Sequence, residues 1–126
     1  MDEKDKEIQE LRRENEKLRK IVDELEYSGF LVGPRLETIK TALKVYGNTQ
    51  IVVAMEEMAE LTKELSKALR GQGNREHIKE EMVDVTIMLA QMQEEFQISP
   101  LELSAEVDKK VDRLKERLSR RLWDEY

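Results

Sequence analysis

Among the side chains of this chain, the carboxylates have the spacing that best suits binding of a metal ion. Steps of three and four residues place Glu57, Glu60 and Glu64 on one face of a helix. Glu81 and Asp84 repeat the three-residue step further along the chain. Both sets lie beside apolar positions, at the edge of a core, where like charges repel unless a cation balances them. Two helices that each present such acids offer the oxygen ligands preferred by Mg²⁺ or Mn²⁺.

A second candidate surface is basic. Lys110, Arg113 and Arg117 recur at i, i+3 and i+7, which places them on one side of a helix. A protein with a net charge of −6 can bind a polyphosphate only through cations or through such a local patch. The alternative is that basic residues near a helix C-terminus complement the helix dipole, and we favour this interpretation for Arg117, Arg120 and Arg121.

Turn and cap signals divide the chain into the helices that must position these residues. Four helices are predicted over residues 35–46, 49–70, 75–96 and 100–122. Gly47 and Gly71 end the first two, Asn48 or Thr49 caps the second and Asn74 caps the third. A capping box, Ser99-Pro100-Leu101-Glu102, opens the fourth.

Composition favours an all-α class and excludes several functions. Among 126 residues, 40% are charged and 39% apolar, with five Gly and two Pro, which is typical of long solvated helices. The absence of Cys excludes disulfides, thiolate nucleophiles and Cys-bound metals. The acidic balance argues against nucleic acid as a partner. Because the sequence has neither a membrane-length apolar run nor the pattern of a signal peptide, we expect a soluble cytoplasmic protein without membrane contact.

The first residues carry a heptad pattern. Its a and d positions hold Ile8, Leu11, Leu18, Val22 and Leu25. Asn15 occupies the remaining a position, where a buried amide fixes the register of two strands. Glu7 and Glu14 at g face Arg12 and Arg19 at e if two copies run parallel. The pattern predicts a coiled coil, and the alternative is a solvated helix lying on its own domain.

The chain therefore divides into three predicted segments. These are a coiled-coil helix over 1–27, a hinge over 28–34 with two glycines and a proline, and a helical domain over 35–126. The third helix of that domain, 75–96, is apolar on two sides, so one copy is unlikely to bury all its apolar faces. We expect a homodimer or homotetramer built as an oligomeric helical bundle.

The acids also carry a family resemblance. Glu56-Glu57-Met58-Ala59-Glu60 and, after a gap of twenty residues, Glu81-Met82-Val83-Asp84 resemble the signature of the MazG-like all-α nucleoside triphosphate pyrophosphohydrolases, Glu-Glu-x-x-Glu and then Glu-x-x-Asp. The likeness spans roughly residues 36–118 and leaves out the first 30, so it implies a four-helix MazG-like core with an added N-terminal helix. By this resemblance Glu57, Glu60, Glu81 and Asp84 hold Mg²⁺, with Mn²⁺ as a substitute.

The reaction that the resemblance implies is attack of water on the α-phosphorus of a nucleoside triphosphate, which releases the monophosphate and pyrophosphate. The family has Asn-x-Lys in its last helix, whereas Asp108 stands at the Asn position here, so we assign the phosphates to Lys110 with Arg113. Gln50, before the acidic helix, is our candidate for a hydrogen bond to the base. His77 lies one turn before Glu81 on the same face. One interpretation is that it contacts the substrate or tunes the metal site, and the one we favour is that it is an exposed residue of a first helical turn.

Two other functions stay open on the sequence alone. In one, the acid rows are only solvated faces and the chain is a non-enzymatic coiled-coil adaptor. In the other, the protein is a metal-dependent hydrolase of a different phosphorylated substrate.

Overall fold

The computed structural model describes residues 2–27 and 31–124, and these residues form only helices and turns. Five helices follow one another along the chain: α1 (Glu3–Tyr27), α2 (Pro34–Tyr46), α3 (Thr49–Leu69), α4 (Arg75–Glu95) and α5 (Pro100–Asp124). The all-α class is confirmed, and the helices begin and end close to the bounds that the cap and turn signals predicted. Residues 28–30 of the predicted hinge lie outside the described residues. No helix in the described part of the chain is long and apolar enough to cross a membrane.

The chain divides into two compact units, Met1–Ile39 and Lys40–Tyr126, with the boundary inside α2. In the first unit, a carboxylate oxygen of Asp2 accepts a hydrogen bond from the Asp5 N–H at 2.8 Å and caps α1. Every side chain of α1 from residue 3 to residue 22 is exposed.

In the second unit, the turn between α2 and α3 depends on Gly47. Its φ of +68° lies in the left-handed region, and its N–H donates to the Leu43 carbonyl oxygen at 2.7 Å. Neither residue predicted to cap α3 caps it through its side chain. Asn48 occupies the N-cap position in a helical conformation, without a side-chain cap hydrogen bond. The Thr49 hydroxyl donates backwards to the Tyr46 carbonyl oxygen at 2.7 Å.

The connection between α3 and α4 is short and tightly packed. A Cβ added at Gly73 would lie 3.0 Å from the Ala68 Cα, so a larger residue would push the connection away from α3. Asn74 then caps α4 as predicted, because its side-chain oxygen accepts from the N–H groups of Glu76 and His77 at 3.0 and 3.1 Å. Among the described residues, α3 and α4 are the one pair of helices in extensive contact.

The last helix begins at the predicted capping box. The Ser99 N–H donates to the Glu102 carboxylate at 2.7 Å, and the Glu102 N–H donates to the Ser99 hydroxyl at 3.1 Å. All side chains of α5 from residue 101 to residue 123 are exposed. These include its apolar row: Leu103, Val107, Val111, Leu114, Leu118 and Leu122. One copy of the chain therefore leaves this row uncovered.

Candidate metal centre

The packing of α3 against α4 brings three of the predicted acids together. Glu57 comes from α3, and Glu81 and Asp84 come from one face of α4. One carboxylate oxygen from each residue lies within 4.8 Å of the other two. Glu57 and Glu81 are half-buried, whereas Asp84 is exposed. Oxygens this close can share one hard cation, whose oxygen ligands lie about 2.0–2.6 Å away.

Electrostatics at Glu81 favour a cation. Its Oε2 is buried and has no hydrogen-bond partner within the described part of the chain. Burial raises the pKa of Glu81 above its ordinary value, and the negative charges of Asp84, Glu57, Glu60 and Glu64 raise this pKa further, in that order. A bound cation would offset both the desolvation and the repulsion, so the residues present fit a metal site.

Glu60, the fourth predicted ligand, lies outside the three-residue group. Its side chain is exposed, one turn along α3 from Glu57. Its charge nevertheless contributes to the raised pKa of Glu81, so it belongs to the same electrostatic cluster. The structure thus groups Glu57, Glu81 and Asp84 closely and places Glu60 beside them.

Among the described residues, Glu64 is the most enclosed acid, and the sequence analysis placed it in the carboxylate row without assigning it as a metal ligand. Its side chain is only 10% exposed, and its Oε1 accepts a hydrogen bond from the Lys67 ammonium at 3.3 Å. Its Oε2 lies 4.0 Å from the His77 Nδ1 and has no hydrogen-bond partner among the described residues. The His77 side chain is 58% exposed, as expected for a first-turn residue. The one available signal was that Glu64 continues the row of Glu57 and Glu60.

Gln50 contacts the other helix of the pair. Its side-chain nitrogen donates to the side-chain oxygen of Gln91 at 2.9 Å, and Gln91 is only 3% exposed. This hydrogen bond joins the start of α3 to α4. A contact between Gln50 and a nucleotide base stays a prediction.

The basic residues Lys110 and Arg113 lie on α5, and both are exposed. Lys110 lines two shallow grooves and Arg113 one of them, and both grooves are formed by residues of α5 alone. Since α3 and α4 are the extensively packed pair among the described residues, a single copy does not bring this basic stripe against the acids.

The fold and the site define an all-α protein with a candidate acidic metal centre between two packed helices. No family model, curated protein or solved structure matches the chain.

Proposed function

We propose that this protein is a Mg²⁺-dependent nucleoside triphosphate pyrophosphohydrolase. The observation that carries the proposal is the close group of Glu57, Glu81 and Asp84, in which Glu81 also has a buried carboxylate oxygen without a hydrogen-bond partner among the described residues. The order of these acids along α3 and α4 also resembles the MazG-like signature, which supports phosphoanhydride hydrolysis over other metal-dependent reactions.

In the proposed reaction, a water oxygen bonds to the α-phosphorus and the bond from that phosphorus to the bridging oxygen breaks. Pyrophosphate leaves, and a nucleoside monophosphate remains. Glu57, Glu81 and Asp84 would hold the ion, with Glu60 as a fourth ligand and Mn²⁺ as a substitute. When bound, such an ion neutralises phosphate charge and lowers the pKa of a water.

Substrate phosphates also require positive side chains, and the proposal assigns Lys110 and Arg113 to them. Both lie on α5, whose apolar row is uncovered in a single copy. An exposed apolar row of this length is typical of an interaction surface. We therefore include a homodimer or homotetramer in the proposal, in which packing of α5 against another helix brings the basic stripe to the acids.

The test is release of pyrophosphate from a panel of nucleoside triphosphates, with and without Mg²⁺. Glu81→Gln removes a charge from the proposed centre, and Glu80→Gln removes the same charge from the exposed neighbouring residue. We expect Glu81→Gln to lower the rate by at least about a hundredfold, whereas Glu80→Gln stays near the unmodified rate. Equal rates in the two variants, or release that does not depend on a divalent ion, would contradict the proposal.

One observation favours a second candidate function, that of a coiled-coil adaptor. The a and d side chains of α1 from Ile8 to Val22 are exposed, with Leu11 at 60% and Leu18 at 55%. An adaptor would bind partners without hydrolysing any nucleotide in the panel. If another phosphorylated compound is the substrate instead, mass spectrometry of the products will identify it.

A further inference from the structure

We propose that α1 pairs with α1 of a second copy as a parallel, two-stranded coiled coil. Every acid of the candidate metal centre lies in α3 or α4, so this proposal is independent of the proposed hydrolysis. It names a second copy of α1 as the partner of the exposed apolar stripe of α1.

The apolar seam of α1, formed by its a and d positions, is uncovered from Ile8 to Val22. The helix is continuous from Glu3 to Tyr27, so its heptads form one uninterrupted stripe. Along this stripe Ile8, Leu11, Leu18 and Val22 are 46%, 60%, 55% and 48% exposed. A second helix with the same repeat would cover these side chains by knobs-into-holes packing.

The charged side chains beside the seam favour a second copy of α1 as the partner helix, and they favour a parallel orientation of the two helices. In a parallel pair, Glu7 and Glu14 at g face the e positions of the partner, where Arg12 and Arg19 recur. The two-fold axis then doubles these attractions. In an antiparallel pair of the same helices, g meets g and e meets e, so glutamate faces glutamate and arginine faces arginine. All four side chains are exposed and available for such pairing.

The position of Asn15 also favours a second copy of α1 as the partner. This residue lies at an a position in the middle of the seam, so in a parallel pair its amide faces the amide of the partner's Asn15, and the two can hydrogen-bond. The main competitor is the apolar row of α5. An antiparallel alignment that pairs Glu14 with Lys110 puts Asn15 opposite Val107, which leaves the buried amide without a partner. A second copy of α1 is therefore the better occupant.

The chain of 126 residues contains no Cys, so a single introduced thiol reports the pairing directly. Asn15→Cys places two thiols at the same level of a parallel seam, within disulfide distance. Gln9→Cys, at the outer b position, is the matched control. Under mild oxidation we expect Asn15→Cys to form covalent dimers roughly ten times faster than Gln9→Cys. Equal rates would overturn the proposal.

Charge reversal then tests the recognition. Adding Glu7→Arg and Glu14→Arg to the Asn15→Cys chain should stop its cross-linking, and so should adding Arg12→Glu and Arg19→Glu. Mixing the two variants should restore a cross-linked heterodimer, because opposite charges meet again, and this rescue excludes simple unfolding of α1. Unchanged cross-linking in the separate variants, or failure of the mixture to cross-link, would overturn the proposal.

A double cysteine variant distinguishes pairing of α1 with a second α1 from pairing of α1 with α5. If α1 lay against α5, the double variant Asn15→Cys/Val107→Cys would form a disulfide between those two positions, and Asn15→Cys alone would form no covalent dimer. This result would overturn the parallel pair. A disulfide between two copies at position 15, found by peptide mapping of the double variant, supports it.

Discussion

Glu81→Gln should make the metal-free protein more stable and should remove most of the stabilisation by Mg²⁺. The Glu81 Oε2 is buried without a hydrogen-bond partner in the described part of the chain. Burial and the charges of Asp84 and Glu57 raise the pKa of this carboxyl, so its ionised form is unfavourable without a cation. Replacing it by an amide removes that repulsion and also removes a ligand.

The size of the metal effect follows from mass action. An ion that binds only the folded state stabilises it by about 2.7 kcal/mol when its free concentration is about one hundred times Kd. For a domain of about 60–100 residues, each kcal/mol moves Tm by about 4–8 °C. Saturating Mg²⁺ should therefore raise Tm by roughly 10–20 °C, and the Glu81→Gln variant should lose most of this shift.

Differential scanning calorimetry on EDTA-treated protein provides the assay. Glu80→Gln carries the same charge change one residue away, and KCl at matched ionic strength controls for screening of the acids. We expect the large Mg²⁺ shift in the unmodified chain and in Glu80→Gln, but not in Glu81→Gln. The reasoning is refuted if KCl reproduces the shift, or if Glu81→Gln responds to Mg²⁺ as fully as the unmodified chain.

Three further predictions concern pH, the basic stripe and the first helix. Without metal, Tm should rise as pH falls from neutral towards the ordinary pKa of a glutamate, because the raised pKa of Glu81 makes the folded state bind more protons than the unfolded state in this range. Glu81→Gln should flatten this part of the Tm profile, and an unchanged slope in that variant would contradict the assignment. Lys110→Ala should raise KM for the triphosphate and lower kcat/KM, whereas Arg120→Ala should be nearly silent, and equal losses in steady-state kinetics would indicate general damage to α5 instead. Deleting residues 1–26 should keep hydrolysis but reduce the oligomer mass in light scattering, and Asn15→Leu should raise Tm while loosening the choice of oligomer. Identical masses and melting curves for all three chains would mean that α1 is not a coiled coil.

Local signals predicted the helices well because each depends on residues close in sequence. The Ser99–Glu102 box and the Asn74 cap are hydrogen bonds between residues two or three positions apart, and both are present. Asn48 is an exception, because its residue type alone does not determine its backbone conformation. Its type suits a cap, but its φ and ψ of −69° and −9° are helical, so no side-chain cap bond forms.

The site was predictable within each helix and less so between helices. Glu81 and Asp84 share a face because of their three-residue step, which the sequence states directly. Glu57, Glu60 and Glu64 share a row as well, but the packing of α4 on α3 decides which member is enclosed. The structure buries Glu64, half-buries Glu57 and leaves Glu60 exposed. Periodicity alone cannot rank acids along one row, because that ranking depends on how the two helices pack.

The apolar row of α5 shows that the sequence pattern predicts a packed face but not the helix that covers it. Its spacing predicts a face that packs against something, and the structure of one copy leaves that face exposed. The sequence pattern indicates that a partner is needed, but it does not say whether the covering helix belongs to the same copy or to another. That choice decides whether Lys110 reaches the acids.

The central claim is that the acids support water attack at the α-phosphorus, and hydrolysis in ¹⁸O-labelled water tests it most directly. A nucleoside triphosphate is incubated with the unmodified chain and Mg²⁺, and mass spectrometry locates the label. We predict one ¹⁸O atom in the monophosphate and none in pyrophosphate, with most turnover lost in both Glu60→Gln and Asp84→Asn. Label in inorganic phosphate or pyrophosphate, or normal turnover by either variant, would contradict this account.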